Sequence, residues 1–159
     1  MNERQKLITA ALDALQIPLR VQTIDDRKAL QKAIYLAQEA GLDFGYPYGW
    51  HQVGPYSSQL AEDYQEAAYA SAAGTLGIIR PLRKQYRTSL ESLRPVLEPP
   101  TDVQLSKTQW LELLASLHFL RKYVGQSEKE AHATLHRQKR PLAKYTSAAA
   151  LALARVEAA

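Results

Sequence analysis

The chain has 159 residues, 46% of them apolar and 23% charged, proportions of a globular protein long enough for one domain whose core needs no covalent staple. It contains no cysteine, which excludes a disulfide framework, a thiolate nucleophile and a cysteine-ligated zinc. The formal charge of +4 is unevenly spread: Arg80, Arg83, Lys84, Arg87 and Arg94 crowd one segment and Arg137, Lys139, Arg140 and Lys144 another, while Glu62, Asp63 and Glu66 sit together.

No apolar run approaches the length of a membrane span, and residues 1–16 are charged throughout with no apolar signal core. The expectation is a cytoplasmic protein with no membrane partner. In residues 2–16, Leu7, Ile8, Ala11, Leu12 and Leu15 fall on one helical stripe, which Pro18 ends. A second helix follows Asp25 or Asp26 as cap, with Leu30, Ala33, Ile34 and Ala37 as its apolar stripe and Gly41 as its stop.

The run Gly45–Ser58, GYPYGWHQVGPYSS, holds three Tyr, a Trp, a His, three Gly and two Pro between two helical patterns. Glycines allow positive φ, prolines fix φ, and the aromatic rings must be buried beneath the loop or offered to a partner, so the stretch reads as an ordered loop with a task. Trp50 and Tyr56 are expected inside, and at least one of Tyr46, Tyr48 and His51 outside. Ser57 or Ser58 caps a third helix in which Leu60, Tyr64, Ala67 and Ala68 face the core, Glu62 and Asp63 favour the helix dipole, and Gly74 closes the end.

Residues 76–79 and 85–88 read as two short strands, a small hairpin near 76–88 about the turn RPLRK, with helix close behind for the second. A helix from about Thr88 to Leu97 ends at Pro99-Pro100, and 98–105 reads as an internal linker. In WLELLASLHFLRKYV, Trp110, Leu113, Leu114, Leu117, Leu120 and Val124 repeat at helical spacing, which marks the central buried helix. Ser127 with Glu130 forms a capping box for the next helix, and the Ala-rich tail is helical but weakly amphipathic, hence loosely docked. The fold class expected is mainly α, a compact single-domain bundle of about six to seven helices spanning 1–159.

Three constellations invite chemistry. Glu128, His132 and His136 stack along one helical face and His118 precedes them, but the spacing is not HExxH, so no metal is assigned and no cofactor is called. Ser57 and Ser58 lie near His51, yet they stand where serine ordinarily caps a helix, and no catalytic residue is assigned. There is no GxGxxG or GxxxxGK[ST], so a glycine loop for nucleotides has no support.

The run LQKAIYLAQEAGLDFGYPYGWHQVGPYSSQLAEDY resembles the SocA-like Panacea antitoxin domain, most closely its YwgA-type branch, in which a helix, an aromatic turn, an aromatic-x-x-GPYS element and a helix follow in this order. Gly54, Pro55, Tyr56 and Ser57 match the motif directly, Tyr46, Trp50 and His51 match its less fixed aromatic positions, and WLELLASLHFL looks like the branch's second signature helix. The likeness departs after Gly74, where QYRTSLESL replaces a tidier strand pair. The resemblance implies a mainly helical, cytoplasmic, prokaryotic, non-enzymatic protein that works by binding, as an antitoxin or adaptor in a toxin-antitoxin or phage-defence setting. A partner protein encoded nearby is then expected to meet Tyr46, Tyr48, Trp50, His51, Gly54, Pro55, Tyr56 and Ser57. The alternative is a nucleic-acid-binding regulator that neutralises phosphates with Arg80, Arg83, Lys84 and Arg87 of segment 80–94.

Overall fold

A computed structural model of the chain describes residues 2–52 and 54–157. Helices α1 (Glu3–Leu15) and α2 (Ile24–Glu39) lead to a hairpin of β1 (Gly49–His51) and β2 (Gly54–Tyr56); α3 (Ser58–Ala72) and α4 (Lys84–Leu93) follow, the latter running into a 3-10 turn at Arg94–Leu97. Then come α5 (Lys107–Lys122), α6 (Glu128–Gln138), the short α7 (Arg140–Ala143) and α8 (Thr146–Glu157). The chain is mainly helical, as its apolar periodicities predict.

Local chemistry sets the helix starts. Asn2 with Gln5, Thr23 with Asp26, Ser106 with Gln109 and Ser127 with Glu130 each form a reciprocal capping box, while Ser57 alone accepts from Leu60 N–H at 3.3 Å. The second helix is thus capped by Thr23 and not by Asp25 or Asp26; Asp26 is the third helical residue that closes the box.

The sheet is antiparallel, with Gly49 opposite Tyr56, Trp50 opposite Pro55 and His51 opposite Gly54. The hairpin expected near 76–88 is therefore misplaced: it lies inside the aromatic loop, residues 75–83 run without regular structure, and Lys84–Leu93 is helix. Leu90 and Leu93, three apart, bury one side of α4 against α1, and that burial decides for helix over strand.

Every residue from Trp110 to Leu117 of α5 is buried, and α2 and α8 pack on this central helix. The Ala-rich tail docks firmly, not loosely, because Ala149 and Ala152 let α8 approach α5 while Leu153 fills the gap between them. One apolar cluster runs across 98–105, where Val103 is buried and Gln104 N–H donates to the Tyr145 hydroxyl at 3.1 Å. Among the described residues no helix is long and apolar enough to cross a membrane.

Candidate functional site

The hairpin rests on the packed pair α2 and α5, and polar side chains of α2 hold it from below. The Gln31 amide donates to the Ser57 carbonyl at 2.8 Å and accepts from Ser57 N–H at 3.0 Å. Seven residues on, the Gln38 amide does the same for Tyr46, at 3.1 and 3.0 Å. Each glutamine thus stands in for a strand neighbour, supplying the partners that buried loop backbone must find. Between them the fully buried Lys32 ammonium donates to the Pro55 carbonyl at 2.7 Å.

Charge collects under the same loop. Lys28 Nζ lies 2.9 Å from Glu112 Oε1, and Lys139 Nζ lies 2.8 Å from Glu112 Oε2 while also donating to the Gln52 carbonyl. Glu112 and Lys139 are each 6% exposed. Burial brings the Lys32 ammonium down to about 7, Glu112 opposing the shift and Lys139 and Lys28 adding to it. Beside it, Gly54 has φ +96, and a Cβ there would stand 2.5 Å from Ser116 Oγ. Only glycine suits both the backbone angle and this approach. The Ser116 hydroxyl is buried and has no hydrogen-bond partner among the described residues.

Of the aromatic residues in the 45–58 loop, Tyr46 is the buried one, at 4% exposure, while Tyr48, Trp50 and Tyr56 are half-buried. The Tyr46 hydroxyl donates to Asp63 Oδ2 at 2.6 Å, the Arg4 guanidinium lies 4.6 Å from its ring centre, and burial together with the Asp63 bond raises its pKa. Asp63 is accordingly a buried acceptor, held also by Arg4 and Gln5, and more than a charge at a helix end. Tyr48 is half-buried, sets its ring edge-on to Tyr35 with centroids 5.0 Å apart, and has a buried hydroxyl without a partner among the described residues.

Trp50 and Tyr56, expected as interior plugs, are each half-buried. Trp50 stacks on Phe119 with centroids 5.9 Å apart and donates from Nε1 to Gln138 Oε1 at 3.0 Å, and because Gln138 is itself exposed the indole edge stays at the surface. Tyr56 lies 5.0 Å from the exposed His51 ring. Pro55 and Ser57 are buried with Gly54. The GPYS element therefore anchors the hairpin, and His51, Gln52 and the open side of Tyr56 form its outer surface.

The chemical constellations come apart. Ser57 Oγ is a helix cap, and neither it nor Ser58 shares a hydrogen bond with His51 among the described residues. His118 Nδ1 pairs with the Tyr35 hydroxyl at 2.7 Å, and His132 Nδ1 with Thr146 Oγ1 at 3.1 Å. Among the described residues no group of three His, Asp or Glu side chains is placed to share a metal ion.

Arg80, Arg83, Lys84 and Arg87 do come together, all exposed, where the irregular segment enters α4. Arg80, Arg83 and Arg87 border two clefts against α1, of about 570 and 670 Å³, whose opposite walls include Glu3, Lys6 and Asp13, while Lys84 lines neither.

Gln31, Lys32, Gln38, Glu112 and Ser116 escape a reading that takes only apolar stripes from α2 and α5. The signal for two of them is spacing: Gln31 and Gln38 are two helical turns apart, on the side that meets a loop rich in unpaired backbone. Comparison with protein-family models, with curated proteins and with solved structures returned no match.

Proposed function

We propose that the chain is a non-enzymatic protein-binding module, an antitoxin or adaptor of the prokaryotic cytoplasm that neutralises or delivers a partner protein encoded nearby, in a toxin-antitoxin or phage-defence setting. With no family model matching, the support is the geometry of the hairpin together with the motif run from Leu30 to Tyr64 that resembles the Panacea domain. One observation carries the reading: the carbonyls of Gln52, Pro55 and Ser57 are all captured by buried side chains, while His51 and Gln52 stay exposed. A surface held this way loses little conformational freedom on binding.

The test is co-expression with the product of the adjacent open reading frame. A complex that co-purifies and relieves that product's growth defect supports the reading; neither complex nor relief removes it.

A second reading, nucleic-acid binding for autoregulation, is favoured by one feature: Arg80, Arg83, Lys84 and Arg87 are exposed, and among the described residues none makes an ion pair. Phosphate binding through them would weaken steeply with salt. Duplex and single-strand affinity that falls when Arg83, Lys84 and Arg87 become Ala supports it, and no binding at low salt ends it.

A further inference from the structure

Beside the hairpin a cleft of about 630 Å³ opens between α2, α5 and the junction of α6 with α7. Lys28, Gln52, Gln109, Glu112, Gln138 and Lys139 line it, together with the exposed Pro141 and the buried Leu142. Each oxygen of the cleft's one carboxylate already faces a lysine, Glu112 Oε1 accepting from Lys28 and Oε2 from Lys139.

The two flanking amides have their orientation set by chemistry. Gln138 Oε1 accepts from the Trp50 indole N–H, which can only donate, and Gln109 Oε1 accepts from Ser106 N–H at 2.9 Å. In both glutamines the acceptor is used and the NH2 group has no protein acceptor among the described residues. Lys28, with one bond, keeps two N–H groups free, and Lys139, bonded to Glu112 and the Gln52 carbonyl, keeps one.

The cleft thus offers unused donors around a carboxylate already paired on both oxygens. Two ammonium groups against one carboxylate leave its wall positive even when Lys32, buried behind it, is neutral. Asp25, one turn before Lys28 on α2, does not line the cleft and accepts from Thr108 Oγ1 at 3.0 Å. Such a site, walled by protein, concentrates anions.

We propose that this cleft is an oxyanion site, taking the phosphate or carboxylate group of a small molecule between Lys28, Lys139 and the NH2 groups of Gln109 and Gln138. The site is independent of the partner-binding reading. Its depth suits a small ligand, because the Lys139 side chain is only 4% exposed and a bulky group would not reach its ammonium.

The test is titration of the full chain with inorganic phosphate and, separately, with acetate, at constant ionic strength balanced with chloride, followed by the side-chain NH2 resonances of Gln109 and Gln138. Saturable shifts of both with at least one of the two anions are expected. Phosphate alone identifies a phosphoryl ligand and acetate alone a carboxylate. Lys28→Gln, at a partly exposed position, and Gln138→Glu, which keeps an acceptor for Trp50 but places a carboxylate in the cleft, should each weaken binding at least tenfold while leaving the ligand-free melting temperature within a few degrees. Absence of a saturable shift with both anions, or unchanged affinity in both variants, overturns the proposal.

Discussion

The Lys32 ammonium donates to the Pro55 carbonyl at 2.7 Å from a position with no exposure to solvent, so a helix interior and a hairpin are joined by a lysine that burial brings down to about 7. Between that value and the ordinary 10.5 the unfolded chain binds a proton that the folded chain does not. Folding stability therefore rises with pH across this window, by at most about 1.4 kcal/mol per pH unit from this group, and Lys32 adds no slope below it. The neutral amine still donates to Pro55. Near pH 10, where the amine is largely neutral, Lys32→Met should lose about 1–3 kcal/mol for the stranded carbonyl. Because it also removes the cost of the buried ammonium, its deficit should shrink or reverse toward pH 6 as the rising slope is lost. Urea midpoints at pH 6, 8 and 10 for both proteins check this; parallel pH profiles would refute the assignment.

Gly54→Ala should destabilise by about 2–4 kcal/mol, from backbone strain at positive φ and from the encounter with Ser116 Oγ. Ser116→Ala removes an unpartnered buried hydroxyl and should be neutral or slightly stabilising. The double variant should recover part of the Gly54→Ala loss. Thermal melts of the three proteins decide it, and strict additivity counts against the contact.

Tyr46→Phe deletes only the hydroxyl that donates to Asp63, and should cost about 1.5–3 kcal/mol, the range for a hydrogen bond to a charged group. Arg4 and Gln5 still serve the carboxylate, so the fold persists. A melting temperature equal to that of the parent would show that the bond contributes nothing.

His118 is half-buried and its pKa is lowered, by desolvation above all, with Glu39 and Glu157 opposing. Below about 6.5 the unfolded chain takes up a proton that the folded chain resists, so stability falls as the pH drops through that region. His118→Gln should flatten this part of the stability profile, measured by urea unfolding between pH 5 and 7.

His51→Ala should leave the melting temperature unchanged, since the ring is exposed, yet lower affinity for the partner by about 2 kcal/mol, as an interface anchor does. Trp50→Ala should instead lower both, because its ring lies on Phe119 and its N–H is held by Gln138. Melts paired with binding to the co-purified partner separate the two, and a His51→Ala protein that binds normally removes that residue from the interface.

The helices were legible in the sequence because their causes are local. Apolar residues at helical spacing announce α1, α2 and α5, and Ser127 with Glu130 announces the start of α6 through groups three residues apart. Local signals also located the aromatic loop and the cap at Ser57. They reached only part of α4: the helix from about Thr88 onward was legible, whereas 85–88 were as close to strand as to helix, and the burial of Leu90 and Leu93 against α1 draws them into one helix from Lys84. The loop's interior was likewise decided by tertiary structure. Tyr46 is buried because Asp63, 17 residues away, and Arg4, at the other end of α1's reach, meet it there. Lys32, Glu112 and Lys139 form one buried cluster only once α2, α5 and the end of α6 are packed together. A propensity or a cap is set by neighbours along the chain, whereas the burial of a charge depends on which distant groups arrive to solvate it, and packing alone makes that choice.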